Sequence, residues 1–529
     1  MSRVPVIILR EGTEQVEEKE ARKQNINAML AITEMVRSTL GPKGMDKMLV
    51  DGLGDVMITN DGAEILKNLD IESVAANMMV NVAKATDDEI GDGTTSAVIF
   101  SSALLQNALE LVEQDIHPKH ITHGYKLAAD KALQIIGQIE EKVSKEDKTI
   151  LKNAAITSMN SKQLATSKEF FADLAIQAVT QISGDKTFDN IGNIKIVKAP
   201  GKSLADSKVI QGLYIEKARA NPTMPNVTKN VKIAVIRKKL EVVKTEFDSQ
   251  IQIFNPEDIQ KFKDQEEKIL QDYMKVFKDL GVNMIVNNQE ISDKFGAYLA
   301  REGIIAIKNL SDDNIKAVLK TIGANLANDL KGLSEVDLGY AETVKFEKID
   351  KDEYTLFEGC KNPKAISIVL KGGLKKVLDT AEVALHDVLS VIGKIIDTQA
   401  VVGGGGAVYI ELAKRLKAYA NEISGKEQLA ITSFALALEE IPKILVKNAG
   451  LDEVEKITAL RAAHKADADK WIGIDTIENS IQDNYKKGIV EPSALIKHIM
   501  KTGTELANLI LRVDRIIAAK NAAKDGFQY

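Results

Sequence analysis

From Glu17 to Val143 the apolar positions recur mainly every three or four residues. Ile26, Met29, Leu30, Thr33, Val36 and Leu40 predict an amphipathic helix over Glu17–Leu40, ended by Gly41-Pro42-Lys43-Gly44. Met48–Leu53 and Val56–Thr59 read as a hairpin closed by Asn60-Asp61-Gly62. Helices follow over Ala63–Asn68, from Ser73 to about Asp88, after Gly93, and from Pro118 to about Val143. Residues Arg3–Arg10 are extended and apolar, which suggests a strand. The rest of this stretch is a helical bundle.

The pattern then changes twice and changes back. Ser144-Lys145-Glu146-Asp147-Lys148 is a charged connector, and 149–213 mixes short helices with a strand at Ile194–Lys198. Runs at Lys232–Arg237, Asn283–Val286 and Gly303–Ile307 alternate with helices, which predicts an α/β region from about Gly212 to Pro363. Within it, Glu257–Leu280 is a heavily charged helix with few core positions, after Phe254-Asn255-Pro256; such a helix is solvated or docks on a partner. Residues 364–400 return to strand, Gly372-Gly373 and helix, and the chain after Gly406 is again a helical bundle to Ala519. The order helical, mixed, α/β, mixed, helical implies nested insertion, one domain interrupted by another that is itself interrupted.

Composition narrows the function classes. A chain of 529 residues is too long for one core, and 44% hydrophobic with 28% charged residues is ordinary for a globular protein. A net charge of −6 gives no support for nucleic-acid binding. Cys360 is the single cysteine, so no internal disulfide forms; it reads as a packed small side chain. No apolar run reaches membrane-span length, and no secretory leader pattern opens the chain; a soluble cytoplasmic protein is expected.

The richest chemistry sits at Glu89-Ile90-Gly91-Asp92-Gly93-Thr94-Thr95-Ser96, a tight loop entering an apolar helix. Free N–H groups and the helix dipole favour an anion there. Asp92 would repel phosphate unless a hard cation such as Mg2+ sat between them. The other reading of the motif is an Asp/Thr helix cap. Gly403–Gly406 before a helix from about Val408 either admits close approach of a nucleotide or is a packing corner. Gly201-Lys202-Ser203 is not a phosphate-binding P-loop, because the required upstream glycine position holds Ile196. His117, His120 and His123 have no cysteine or obvious carboxylate to complete a zinc set. His386 and Asp387 are helix neighbours about 100° apart and cannot serve one point. Asp387 lies at the edge of a stripe of Leu374, Val377, Leu378, Ala381, Leu385, Val388 and Ile392, where a carboxylate is unusual unless paired or functional.

Leu40-Gly41-Pro42-Lys43-Gly44-Met45-Asp46-Lys47-Met48-Leu49, Thr59-Asn60-Asp61-Gly62, Gly91-Asp92-Gly93-Thr94-Thr95, Val401–Ala407 and Glu491-Pro492 together resemble the chaperonins. Ile116-His117-Pro118, Asn221-Pro222-Thr223-Met224-Pro225, Glu358–Pro363, Ala384-Leu385-His386-Asp387 and Leu460-Arg461-Ala462-Ala463-His464 narrow the resemblance to the group II class, on the thermosome side. It covers about residues 3–519.

The resemblance implies a multidomain protein. A mostly α equatorial ATP-binding domain would comprise 1–146 and 402–529, and a mixed α/β intermediate hinge domain 147–213 and 368–401. An α/β apical substrate-binding domain would comprise 214–367, with a helical lid protrusion at about 242–280. It implies that Leu40, Gly41, Pro42, Asn60, Gly93, Thr94, Thr95, Ser96, Lys162, Gly405, Asp475 and Glu491 bind nucleotide, and that Asp92 holds Mg2+. Asp61 and Asp387 would position and activate the attacking water. Lys162 would sense the γ-phosphate, Gly405, Asp475 and Glu491 would meet base and ribose, and Asp387 would couple intermediate-domain closure to completion of the site. Gly201 and Gly372-Gly373 would be hinges.

The implied function is an ATP-hydrolysing chaperonin subunit. In a double ring with identical or paralogous subunits it would encapsulate non-native client proteins, with no separate lid protein and no nucleic-acid or membrane partner. The alternative is a ring-forming holdase or scaffold that binds nucleotide without productive hydrolysis. The chain departs from the family pattern at Ser96 (usually threonine), Ser161 (usually glycine), Glu64 (usually small and polar) and in its tail 525–529, which lacks Gly/Met repeats.

Overall fold

The computed structural model describes residues 14–50, 52, 54–162, 167–182, 187–201, 203–241, 256–349, 351–360 and 366–518. The expected strand at 3–10, Leu53, Lys202, Phe254-Asn255, Lys361–Pro363 and the tail lie outside them. The chain divides into two compact units, Met1–Ile176 with Ala384–Tyr529, and Gln177–Val383. The second is therefore an insertion in the first. The helices Lys168–Ile182 and Lys375–Thr398 carry the chain across the two junctions.

The first unit is built around Thr94–Glu113, which buries side chains on all sides, among them Ala97, Val98, Phe100, Leu104, Leu105 and Ala108. Among the described residues it is the one helix long and apolar enough to cross a membrane, but its neighbours bury it. Glu18–Arg37, Val74–Ile90, Pro118–Ile139, Glu427–Leu438 and Ser493–Leu511 pack around it into one core. Phe434 meets Phe100 and Tyr125 edge-on, with centroids 5.4 and 5.7 Å apart. Gly503 lets its helix close on Phe100, where an added Cβ would lie 2.8 Å from the ring. Burying each such large side chain contributes roughly 1.5–3 kcal/mol, so the N-terminus of the central helix is fixed by dense packing.

Several short strands in this unit escape the periodicity. Ala400–Gly403 pairs antiparallel with both Val490–Pro492 and Glu141–Lys142, placing Val402 opposite Glu491. A hairpin joins Ile472–Asp475 to Ser480–Asp483, inside what the sequence reads as continuous bundle. The expected hairpin is present as Lys47–Val50 against Val56–Thr59. Its turn falls between those strands, and Asn60-Asp61 instead leads into the helix Gly62–Lys67.

The second unit holds a seven-stranded mixed sheet, parallel from Ile305–Ile307 through Met284–Asn287 to Val227–Ile236 and antiparallel through Gly339–Ile349 and Asp352–Cys360 to Gly212–Ile215. A separate three-stranded sheet pairs Ile194–Pro200 in parallel with Ile366–Gly372. Cys360 is buried. The charged helix runs over Pro256–Asp279, and its C-terminal half is anchored, where the sequence suggests a helix either solvated or docked on a partner. Leu270, Met274 and Phe277, spaced four and three apart, are buried in the sheet's core.

Candidate functional site

Two glycines in the left-handed region flank Asp92: Gly91 with φ 79° ends the helix Val74–Ile90, and Gly93 with φ 76° precedes Thr94–Glu113. A Cβ on Gly91 would lie 2.2 Å from Ser390 Cβ, and one on Gly93 2.5 Å from Leu495 Cδ1. The loop is thus pressed between two helices. No side chain caps Thr94–Glu113, which removes the helix-cap reading of Asp92. Its carboxylate instead accepts from Gly93 N at 2.7 Å and Ser158 Oγ at 2.5 Å. Asp61, by contrast, is a true cap: it accepts Glu64 N at 2.7 Å at the start of Gly62–Lys67. A Cβ on Gly62 would come within 2.5 Å of Thr95 Oγ1, so the two helix starts meet.

Lys162 and Asp387 complete this corner. Lys162 Nζ is paired with Asp387 Oδ2, and Asp387 is only 5% exposed. Thr94 Oγ1 lies 3.4 Å from Asp61 Oδ2. Burial pushes the Asp61 and Asp387 carboxyls up, against the pull of Lys162. Burial also works against the Lys162 charge, but Asp387, Asp92 and Asp61 outweigh it and hold the amine above the usual lysine range. Fully ionised, these groups carry three negative charges and one positive. A hard divalent cation fits that surplus, and an uncapped helix start fits phosphate beside it. Among the described residues no group of three or more His, Cys, Asp or Glu side chains is placed to cage a metal alone. The donor set therefore suits Mg2+ shared between one carboxylate and phosphate oxygens.

The cleft continues away from the acids along less charged walls. Leu40, Gly41, Pro42, Asn60, Asp61, Asp92, Gly93 to Ser96, Lys162, Gly405, Asp475 and Glu491 all line it. Asp387 joins them through Lys162. Asn448 Nδ2 donates to Leu40 O at 2.9 Å and Arg37 O at 3.1 Å, fixing the 40–42 loop. Asn60 Nδ2 donates to Ser161 O. Gly405 O accepts Ile474 N at 2.9 Å, which ties the glycine run to the 472–483 hairpin. Asp475 spends its carboxylate on its own turn, accepting from Ile477 N, Glu478 N and Gln482 Nε2 at 2.9–3.1 Å. Burial and the nearby Asp92 charge push the Glu491 carboxyl up to about 7, with the Gly405 N–H opposing.

Other residues of the cleft carry no motif. Tyr409, bonded to Ser96, and Ser158 line it, as do Ile441, Leu445, Ile474 and Ile489, which give the far end an apolar surface. Ser158 stands four residues before Lys162, the one spacing that hinted at it. Leu374 and Val377, expected in the buried stripe of the Asp387 helix, are 69% and 39% exposed, because the stripe begins only at Leu378. His117 Nδ1 accepts Lys119 N, whereas His120 and His123 both face Glu427 Oε1, at 2.8 and 3.5 Å. That carboxylate lies 307 positions from His120 in the chain and was invisible to local spacing.

Residues 32–521 match the family described as the TCP-1/cpn60 chaperonin family. The chain is 42% identical over 528 residues to a thermosome subunit beta of Sulfurisphaera tokodaii, covering 99% of this chain and 96% of that one. It is 44% identical over 524 residues to a thermosome subunit beta of Thermococcus kodakarensis, covering 98% and 96%. With a thermosome subunit beta of Thermoplasma acidophilum it shares 41% over 519 residues, covering 98% and 95%.

Proposed function

The chain belongs to the TCP-1/cpn60 chaperonin family, and from that premise we propose that it is a group II chaperonin subunit whose first-unit cleft binds and hydrolyses ATP. The observation that carries this reading is the meeting of Asp61, Asp92, Asp387 and Lys162 at the uncapped start of Thr94–Glu113. The N–H groups of Gly93, Thr94, Thr95 and Ser96 would receive the phosphates, and Asp92 would hold Mg2+. That ion would supply neutralisation of the phosphate charge. Lys162 would orient the γ-phosphoryl. Asp61 and Asp387 would accept hydrogen bonds from the attacking water, and their raised proton affinity suits a base that takes its proton. Leu40, Gly41, Pro42, Asn60, Gly405, Asp475 and Glu491 would hold the nucleoside end.

The larger assembly belongs to the same reading. Met48, Val50, Met57 and Ile58 on the 47–59 hairpin are 38–65% exposed, an apolar surface that a neighbouring subunit in a ring would cover. We assign 1–146 with 402–529 to the equatorial domain, 147–213 with 368–401 to the intermediate domain, and 214–367 to the apical domain. The ring would enclose non-native clients in the cytoplasm beneath a built-in lid. Phosphate release by the purified assembly tests the reading: turnover is expected with Mg2+ and ATP, and its absence when Mg2+ is present would contradict it.

A further inference from the structure

His464 lies outside the cleft, is 4% exposed, and ends the helix Glu453–Ala463. Its two ring nitrogens face two acceptors. Nδ1 lies 2.9 Å from Glu411 Oε2, and Nε2 lies 2.7 Å from the carbonyl oxygen of Ile472. A carbonyl only accepts. Glu411 is a carboxylate: burial opposes its charge, but bonds from His464 and Arg415 hold it down at about 2. The ring therefore bridges the Glu411 carboxylate to the backbone of Ile472.

The bridge is bound into a chain of contacts that ends at the cleft wall. Arg415 Nε donates to Glu411 Oε1 at 2.7 Å, and its other arm reaches Asp467 at 2.6 Å; Lys414 lies 3.4 Å from Glu411. On the histidine's own helix, Arg461 is committed to Glu439. On the facing hairpin, Asp475 is committed to its turn, Glu478 to Lys487, and Asp483 to Lys486. Ile472 opens the strand that holds Gly405 through Ile474 and ends at Asp475, both cleft residues.

We propose that His464 is a positioning residue for nucleotide binding, clamping the 472–475 strand so that the nucleoside wall of the cleft is set. This rests on the reading of the cleft as the ATP site. A clamp of this kind acts on ground-state affinity and leaves the water-directing acids at the far end untouched.

The test compares kcat and KM for MgATP in the wild-type assembly, His464→Gln and the milder Asp467→Asn. A glutamine amide cannot bridge both acceptors in the ring's geometry. KM is expected to rise about tenfold in His464→Gln with kcat nearly unchanged, and Asp467→Asn should show a smaller rise in KM. Wild-type turnover with an unchanged KM in both variants would overturn the proposal, as would a loss confined to kcat. Absence of wild-type nucleotide binding would instead overturn the reading of the cleft. Should His464→Gln fail to fold, Asp467→Asn decides alone.

Discussion

The first unit buries two kinds of charge cluster, built to opposite rules. Around Glu411 the carboxylate is fully compensated: Arg415 and Lys414, with His464, surround it, and its proton affinity falls despite burial. Glu439, between Lys417 and Arg461, follows the same rule. Around Lys162 three carboxylates share a single amine, and Asp61 and Asp387 shift upward. A compensated carboxylate is held ionised in the folded state. Carboxylates in surplus leave negative charge for something that arrives to neutralise, which is the physical reason for placing a cation and a phosphate there.

Asp387→Ala should break the difference most sharply. A fall in kcat of about 10²–10⁴-fold at saturating MgATP is expected, with ADP affinity within about threefold of wild type. A binding loss equal to the rate loss would make Asp387 a ligand contact and not a water-directing group. The matching change at the compensated carboxylate, Glu411→Gln, should leave chemistry alone and cost about 3–5 kcal/mol of stability, because it breaks a buried pair. A lowered thermal midpoint checks it.

A smaller effect separates the clusters by pH. Glu491 has its folded value pushed up to about 7, so the nucleotide-free protein binds a proton that the unfolded chain releases earlier. Stability from this group is present below the ordinary glutamate range and is lost as pH rises to about 7; Asp61 and Asp387 act in the same direction. Glu411 acts oppositely, its contribution present above the ordinary glutamate range and lost as pH falls toward about 2. Glu491→Gln should therefore gain about 1–3 kcal/mol at mildly alkaline pH without nucleotide, and nothing at acid pH, as read from denaturation curves.

The helices and the cleft loops were legible because both signals are local. Apolar spacing marks Glu18–Arg37 and Thr94–Glu113 to within a few residues, and Gly91 and Gly93 announce a backbone only glycine adopts readily. What escaped was non-local. Strands of three or four residues, such as Val490–Pro492 against Ala400–Gly403, are too short to show alternation and pair across about ninety positions. Asp92 alone left cap and cation site undecided, and the missing cap on Thr94–Glu113 removes the first. Ser158 and Tyr409 are ordinary helix residues in sequence, and packing alone brings them to the cleft. The buried anchor Leu270, Met274 and Phe277 was masked by the charge around it.

The central claim is that Asp92 serves a cation, and titration of ADP with and without Mg2+ addresses it directly. Wild-type protein is expected to bind ADP about tenfold or more tightly when Mg2+ is present, and Asp92→Asn is expected to bind it equally in both conditions. An undiminished Mg2+ dependence in Asp92→Asn would contradict the account.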